Sequence, residues 1–250
     1  MNLKKAKSRL RPGTTRERRP EPGLSILMPA FNEEAGIARA ISQLLATDFG
    51  VPFELIVIND GSRDRTLQEA SRAARNHPEV KVISREKNAG KGAALRLGAC
   101  SASGRLVIIQ DADLEYDPRE IPRLLAALSE GGCGAVYGSR FLGRTRGMSA
   151  AHLFGNRFLT LATNLLFGSR LTDMETCYKL MPRSTWNSLA LTRDRFEFEG
   201  EVTAELLRRG HRICEVPISY KARGYELGKK INWVDGIKTF ATLLGCRLRR

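Results

Sequence analysis

From residue 24 onward, short apolar runs alternate with longer stretches whose apolar residues recur at helical intervals. The runs LSILMPA, FELIVIND, VKVISRE and RLVIIQDAD are rich in Ile, Val and Leu, which predicts strands covered on both faces. Between them, EEAGIARAISQLLAT, SRDRTLQEASRAARN and GKGAALRLGACSAS predict helices. This alternation predicts an α/β fold, a mostly parallel sheet flanked by helices on both faces. A further helix, REIPRLLAALSEG, leads to the strand GAVYGSRF. Beyond Gly143 the pattern loosens. AAHLFGNRFLTLATNLLFG reads as a helix, METCYKLMP and RICEVPISYKAR as strands, and EGEVTAELLRRG as a helix. The last stretch places Ile231, Val234, Ile237, Phe240, Leu244 and Leu248 on one face of an amphipathic helix with a basic end. That face either docks on the domain or lies in a membrane interface.

Residues 1–22 do not share this texture: they hold eight Lys/Arg, two Glu, three Pro and almost nothing apolar. Such a segment buries too little surface to offset its ordering entropy, so a disordered basic arm is expected there. The chain thus divides into that arm, a folded domain over 23–230 and a terminal helix over 231–250. The net charge of +14 calls for an anionic partner: nucleic acid, a phosphorylated substrate or an acidic membrane surface. Nucleic acid is disfavoured, because no aromatics interleave the arm's basic residues and no nucleic-acid-binding signature is present. The five cysteines are odd in number, scattered and without a CxxC pair, which predicts reduced thiols in a cytoplasmic protein, with neither zinc nor disulfide. No secretory signal and no membrane-spanning run are expected.

Ligands of open parallel sheets bind beyond the carboxyl ends of the strands, where strand order reverses. Three runs end there in polar residues: Pro29-Ala30-Phe31-Asn32-Glu33, Asn59-Asp60-Gly61-Ser62 and Asp111-Ala112-Asp113. Asp111 and Asp113 either cap the next helix or hold a hard divalent cation shared with substrate phosphates. AGKGAALRLG departs from the dinucleotide fingerprint, with Leu95 at its last glycine position. It leaves Lys91 as a candidate diphosphate contact.

Taken in order, Pro-Ala-Phe-Asn-Glu, Asn-Asp-Gly-Ser-x-Asp-x-Thr, Asn-x-Gly-Lys-Gly, Asp-Ala-Asp-Leu-Glu-x-Asp-Pro and Gly-Ser-Arg-Phe resemble the family 2 glycosyltransferases. Within them, the pattern is similar to dolichyl-phosphate mannose and glucose synthases and their bacterial polyprenyl-phosphate relatives, over about residues 24–230. The resemblance implies a GT-A fold, a nucleotide-sugar donor and Mg²⁺ or Mn²⁺. It implies that Pro29, Phe31 and Glu33 border the nucleotide, that Asp60 contacts its base or ribose, and that Asp111, Ala112 and Asp113 form the metal motif, with Glu115 as a further ligand. It also implies that Arg140 lies near donor or acceptor phosphates, with Arg223 and Lys229 as a distal basic pair. Asp173, in TDMETCYK, falls in the acceptor segment, and the carboxylates of FEFEGE read as a solvated helix start.

A sugar hydroxyl needs a placed general base, whereas a phosphate monoester, with a second pKa of about 6, is already anionic. The Glu-Asp pair and Gln-x-x-Arg-Trp motif of many hydroxyl-directed members are absent. Arg140, Arg146, Arg157, Arg223 and Lys229 instead offer positive charge. The expectation is an inverting hexosyltransferase acting on polyprenyl phosphate, peripheral to the inner membrane face. Its rival is a same-fold enzyme with a soluble phosphorylated or hydroxyl acceptor.

Overall fold

The computed structural model describes residues 22–223 and 233–249. The expected basic arm, apart from Pro22, and Lys229 lie outside them. Strands β1 (Leu24–Ala30), β2 (Phe53–Asp60), β3 (Val80–Arg85) and β4 (Leu106–Ile109) alternate with helices α1 (Ile37–Leu45), α2 (Thr66–Ala74) and α3 (Lys91–Cys100). Then follow α4 (Ile121–Ser129), β5 (Ala135–Ser139), β6 (Thr145–Arg146), α5 (Ala150–Phe167), β7 (Lys179–Pro182), α6 (Arg183–Ser188), α7 (Phe198–Arg208), β8 (Ile213–Pro217), β9 (Tyr220–Lys221) and α8 (Trp233–Leu248).

Seven strands form one sheet in the order β3-β2-β1-β4-β7-β5-β8. All neighbours run parallel except β7, which is antiparallel to β4 and β5. The apolar runs of β1, β2 and β4 are continuous because helices cover both faces. Ile26, Leu27, Ile56, Val57, Ile108 and Ile109 are fully buried, each contributing roughly 1.5–3 kcal/mol. After β1 the chain builds β2 and β3 on one side, then crosses to place β4 on the other. That reversal opens a crevice at the carboxyl ends of β1, β2 and β4, where the sequence concentrates its acids.

The later half departs from expectation in three places. METCYKLMP is a strand only over β7; residues 172–178 form a loop that faces the crevice. RICEVPISYKAR splits into β8, at the sheet edge, and β9, which pairs with β6 in a small separate ribbon. The reading of five reduced cysteines is corrected: Cys133 and Cys214 form a disulfide, their Cα atoms 5.8 Å apart. The β5–β8 pairing brings together two residues 81 apart in sequence.

Helix α8 packs on α5 and α7, but by an unexpected face. Thr239, Thr242, Leu243 and Cys246 are buried against the domain, while Val234, Ile237, Leu244 and Leu248 are exposed. Small and hydroxyl-bearing side chains allow close helix approach, and Gly200 of α7 lies under Thr239. On α5, Phe154, Phe158, Leu161 and Leu165 are likewise exposed, and Phe158 lies 5.9 Å from Phe240 of α8. No helix among the described residues is long and apolar enough to cross a membrane.

Candidate functional site

A cleft of about 960 Å³ opens above the strand ends. Two loops fix one of its walls. The Asn32 amide donates to Ser62 Oγ, the Arg63 amide donates to Asn32 Oδ1, and the Glu33 amide donates to Thr66 Oγ1. Asn32 holds a φ of 51°, a left-handed conformation that asparagine tolerates. Pro29, Phe31 and Glu33 line the cleft from these loops. Asp60 also borders it, but its carboxylate accepts from the Ala89 and Gly90 amides at 3.1 and 2.7 Å and from Asn88 Nδ2 at 2.8 Å. The amides of the glycine-rich loop are therefore turned onto Asp60. Gly90 sits at φ 108°, and a Cβ there would lie 2.5 Å from the Asp194 carbonyl oxygen, so only glycine fits.

That loop launches α3 so that Lys91 reaches across the floor. Its Nζ lies 2.7 Å from Asp111 Oδ1 and 2.7 Å from Glu199 Oε1. Burial alone would lower the Lys91 ammonium's pKa, but Asp111 and Glu199 hold it well above its ordinary value. Glu199 is gripped from its other side by Lys179 Nζ, at 2.5 Å. Burial would raise its carboxyl, yet the two lysines bring it below the ordinary range.

A turn follows β4 and brings Asp111, Ala112 and Asp113 to the cleft. Leu114, at φ 63°, reverses the chain, and the Glu115 amide donates to Asp113 Oδ1. Burial and the neighbouring Asp111 and Glu115 raise the Asp113 pKa to about 7. Glu115 is engaged elsewhere: its carboxylate accepts from the Tyr220 hydroxyl and from the Arg223 amide at 2.8 Å. The carboxylates this turn offers to a cation are therefore those of Asp111 and Asp113. Like charges packed together, one driven towards its protonated form, suit a divalent ion that would relieve the repulsion. Among the described residues, no group of three His, Cys, Asp or Glu is arranged to hold a metal. The remaining coordination would fall to substrate phosphates and water.

Arg223 makes a two-pronged pair with Glu33, at 2.8 and 3.0 Å, and reaches to 3.8 Å from Asp113. Arg140 and Asp173 come together, but on one another. The Arg140 amide, Nε and Nη2 all donate to the Asp173 carboxylate at 2.7–2.9 Å, and Asp173 has no exposed surface. Arg140 borders the cleft, so this pair shapes its wall. Arg157 stacks over Phe141 at 5.7 Å. Arg146 lies apart, in a neighbouring depression beyond Tyr220 and Glu115, together with Arg144 and Lys221.

Sequence reasoning overlooked Lys179, Glu175 and Glu199, and it misjudged FEFEGE. Glu199 and Glu201 are buried, not solvated. Phe198, Val202, Ala204 and Leu206 spread around α7 in a way that suits a helix enclosed on all sides, and that was the available signal. Helices α5 and α8 also line the cleft, with the apolar Phe154, Phe158, Ile237 and Phe240 and the polar His152, Asn156, Asp235 and Thr239.

The family described as Glycosyl transferase family 2 matches residues 25–187. The low-salt glycan biosynthesis hexosyltransferase Agl6 of Haloferax volcanii is 30% identical over 207 residues, 81% of this chain and 48% of that protein. The undecaprenyl-phosphate 4-deoxy-4-formamido-L-arabinose transferase of Pseudomonas aeruginosa is 30% identical over 205 residues, 81% of this chain and 58% of that protein. The chain thus spans about half the length of the curated relatives it matches. Among solved structures, glucosyl-3-phosphoglycerate synthase from Mycobacterium tuberculosis with Mn²⁺, UDP and phosphoglyceric acid superposes with a TM-score of 0.71 at 25% identity, over 92% of this chain and 80% of that one. The same enzyme with Mg²⁺ and UDP gives 0.70, over 90% and 79%.

Proposed function

Because the chain belongs to glycosyltransferase family 2, and is a glycosyltransferase of GT-A fold, we propose that it moves a hexose from a nucleotide-diphosphate sugar to a polyprenyl phosphate at an anionic membrane surface. The observation that carries this reading is the cleft's polarity. The cleft is lined by Asp111, Asp113, Lys91 and Arg223 and also by Phe154, Phe158, Ile237 and Phe240 of α5 and α8, helices that carry further exposed apolar side chains. A phosphate on a long hydrocarbon chain matches both sets of residues; a small polar acceptor matches only the first.

Asp111 and Asp113 would hold Mg²⁺ or Mn²⁺, which supplies charge neutralisation to the donor's diphosphate. Lys91 orients Asp111 and adds a positive charge beside it. Arg223, anchored on Glu33, reaches towards Asp113. The Arg140–Asp173 pair fixes part of the cleft wall. The acceptor phosphate needs no general base, so a single displacement with inversion at the anomeric carbon suffices. The membrane partner is supported by the apolar faces of α5 and α8 and by the chain's net charge of +14.

The test is incubation with labelled UDP- and GDP-hexoses, Mn²⁺ or Mg²⁺, and polyprenyl phosphate in anionic vesicles. Lipid-linked hexose is expected, falling by about 10²-fold or more in Asp113→Ala. Transfer to phosphoglyceric acid with indifference to the lipid would replace this reading with that of a soluble acceptor.

A further inference from the structure

We propose that Glu175 is a specificity-determining residue whose carboxyl group reads a hydroxyl of the donor's hexose. The proposal rests on the donor half of the reading above and is independent of the acceptor.

Glu175 borders the cleft in the loop between α5 and β7. Several other carboxylates of the floor and walls are committed to a cation, Asp111 to Lys91, Glu33 to Arg223, Asp173 to Arg140, and Glu199 to Lys91 and Lys179, while Asp60 and Glu115 accept from amides and, for Glu115, the Tyr220 hydroxyl. Glu175 is different. Its Oε1 is buried and, among the described residues, has no hydrogen-bond partner. The cations near it are spent: Lys179 Nζ donates to Glu199 and to the Thr176 carbonyl, and Arg140 is closed on Asp173. Leaving a buried carboxyl oxygen unpaired costs about 1–3 kcal/mol, a cost that a ligand's hydrogen bond offsets.

The loop around it is rigid, as a reading group requires. The Asp173 amide donates to Glu215, the Met174 amide to Thr160 Oγ1 and the Cys177 amide to the Tyr116 hydroxyl, while Thr176 Oγ1 donates to the Gly138 carbonyl. Backbone on both sides of residue 175 is thereby pinned.

Its place is also that of the sugar. Glu175 lies within electrostatic reach of Lys179 and Glu199, which lead through Lys91 to Asp111, and of the Arg140–Asp173 pair. A donor whose diphosphate lies at Asp111 and Lys91 sets its hexose among these groups. Burial, with Glu199 and Asp173 nearby, raises the Glu175 pKa to about 7. A carboxyl so poised can donate to or accept from a hydroxyl without placing a full negative charge beside a diphosphate.

The experiment compares wild type, Glu175→Gln and Glu175→Ala in the presence of Mn²⁺. Calorimetry measures binding of UDP and GDP, of their hexoses, and of deoxy analogues of the preferred hexose. Expected are nucleoside diphosphate affinities within about twofold across all three proteins, and a loss of about tenfold or more in nucleotide-sugar affinity for Glu175→Ala. One deoxy analogue should bind wild type about tenfold more weakly than the parent donor and bind Glu175→Ala no more weakly than the parent. Glu175→Gln, which keeps the shape and hydrogen-bonding capacity, should recover part of the loss. The proposal is overturned if Glu175→Ala keeps the wild-type ranking of donors, or if UDP and GDP weaken in step with their sugars. It is equally overturned if sugar binding is unchanged while turnover falls and loses its acidic pH limb, the mark of a general base. Failure of transfer to polyprenyl phosphate leaves these binding results standing and refutes only the acceptor assignment.

Discussion

Helix α7 carries glutamates at 199, 201 and 205, and all three are buried; helix α8, packed against it, leaves Ile237 and Leu248 at 57% and 81% exposure. Each helix reverses what its polarity alone would suggest. In α7 the acids are inside because each has partners there. Glu199 holds Lys91 and Lys179, Glu201 accepts from the Thr192 and Arg193 amides, and Glu205 pairs with Arg208 and Arg209. Buried charge persists where it is paired and hydrogen-bonded. In α8 the apolar stripe remains outside because small and hydroxyl-bearing residues on the opposite face make the closer fit to α5 and α7. The helix beneath the cleft turns paired charge inward, and the helix beside its mouth leaves apolar side chains facing outward.

The most severe way to break this contrast is Glu199→Ala. It strands Lys179 in the interior, and unfolding free energy should drop by about 3–5 kcal/mol in a denaturant titration. The double change Glu199→Leu with Lys179→Met should restore much of that stability while transfer activity stays low, separating packing from catalysis. Next comes the docked face of α8: Leu243→Ala should cost about 2–5 kcal/mol by thermal or chemical unfolding.

Buried acid outside these helices gives a smaller, pH-dependent effect. Burial would raise the Glu54 carboxyl, but hydrogen bonds from Lys81, the Ser103 amide and the Ser25 and Ser103 hydroxyls bring it down from 4.5 to about 2. With a folded pKa below the unfolded one, its stabilisation is present above pH 4.5 and fades as pH falls towards 2. Glu54→Gln should flatten the unfolding curve across that window. The smallest stability change belongs to the exposed stripe: Ile237→Ser with Leu248→Ser should alter it by no more than about 0.5 kcal/mol. The same variant should lose binding to anionic vesicles in a sedimentation assay, and retention of full vesicle binding would remove the membrane role given to α8.

Where apolar runs were enclosed on both faces, sequence and structure coincide: FELIVIND is β2 from first residue to last, and LSILMPA is β1. The acids at the ends of β1, β2 and β4 were legible because charge following a buried run has few structural explanations. Glu199 was not, since its meaning depends on Lys91, more than a hundred residues earlier in α3, and on Lys179 in β7. Cys133 and Cys214 were equally opaque, because only the adjacency of β5 and β8 brings them together. Pattern reports which face is covered; it does not report by what.

The turn bearing Asp113 leans on a distant part of the chain. Glu115 is held by the Tyr220 hydroxyl, by the Arg223 amide and, through its carbonyl, by the Lys221 amide. During synthesis, β1, β2 and β4 emerge long before those partners do. The acid turn therefore matures late, and a nascent chain halted before residue 220 would own a crevice whose Asp113 turn has yet to set.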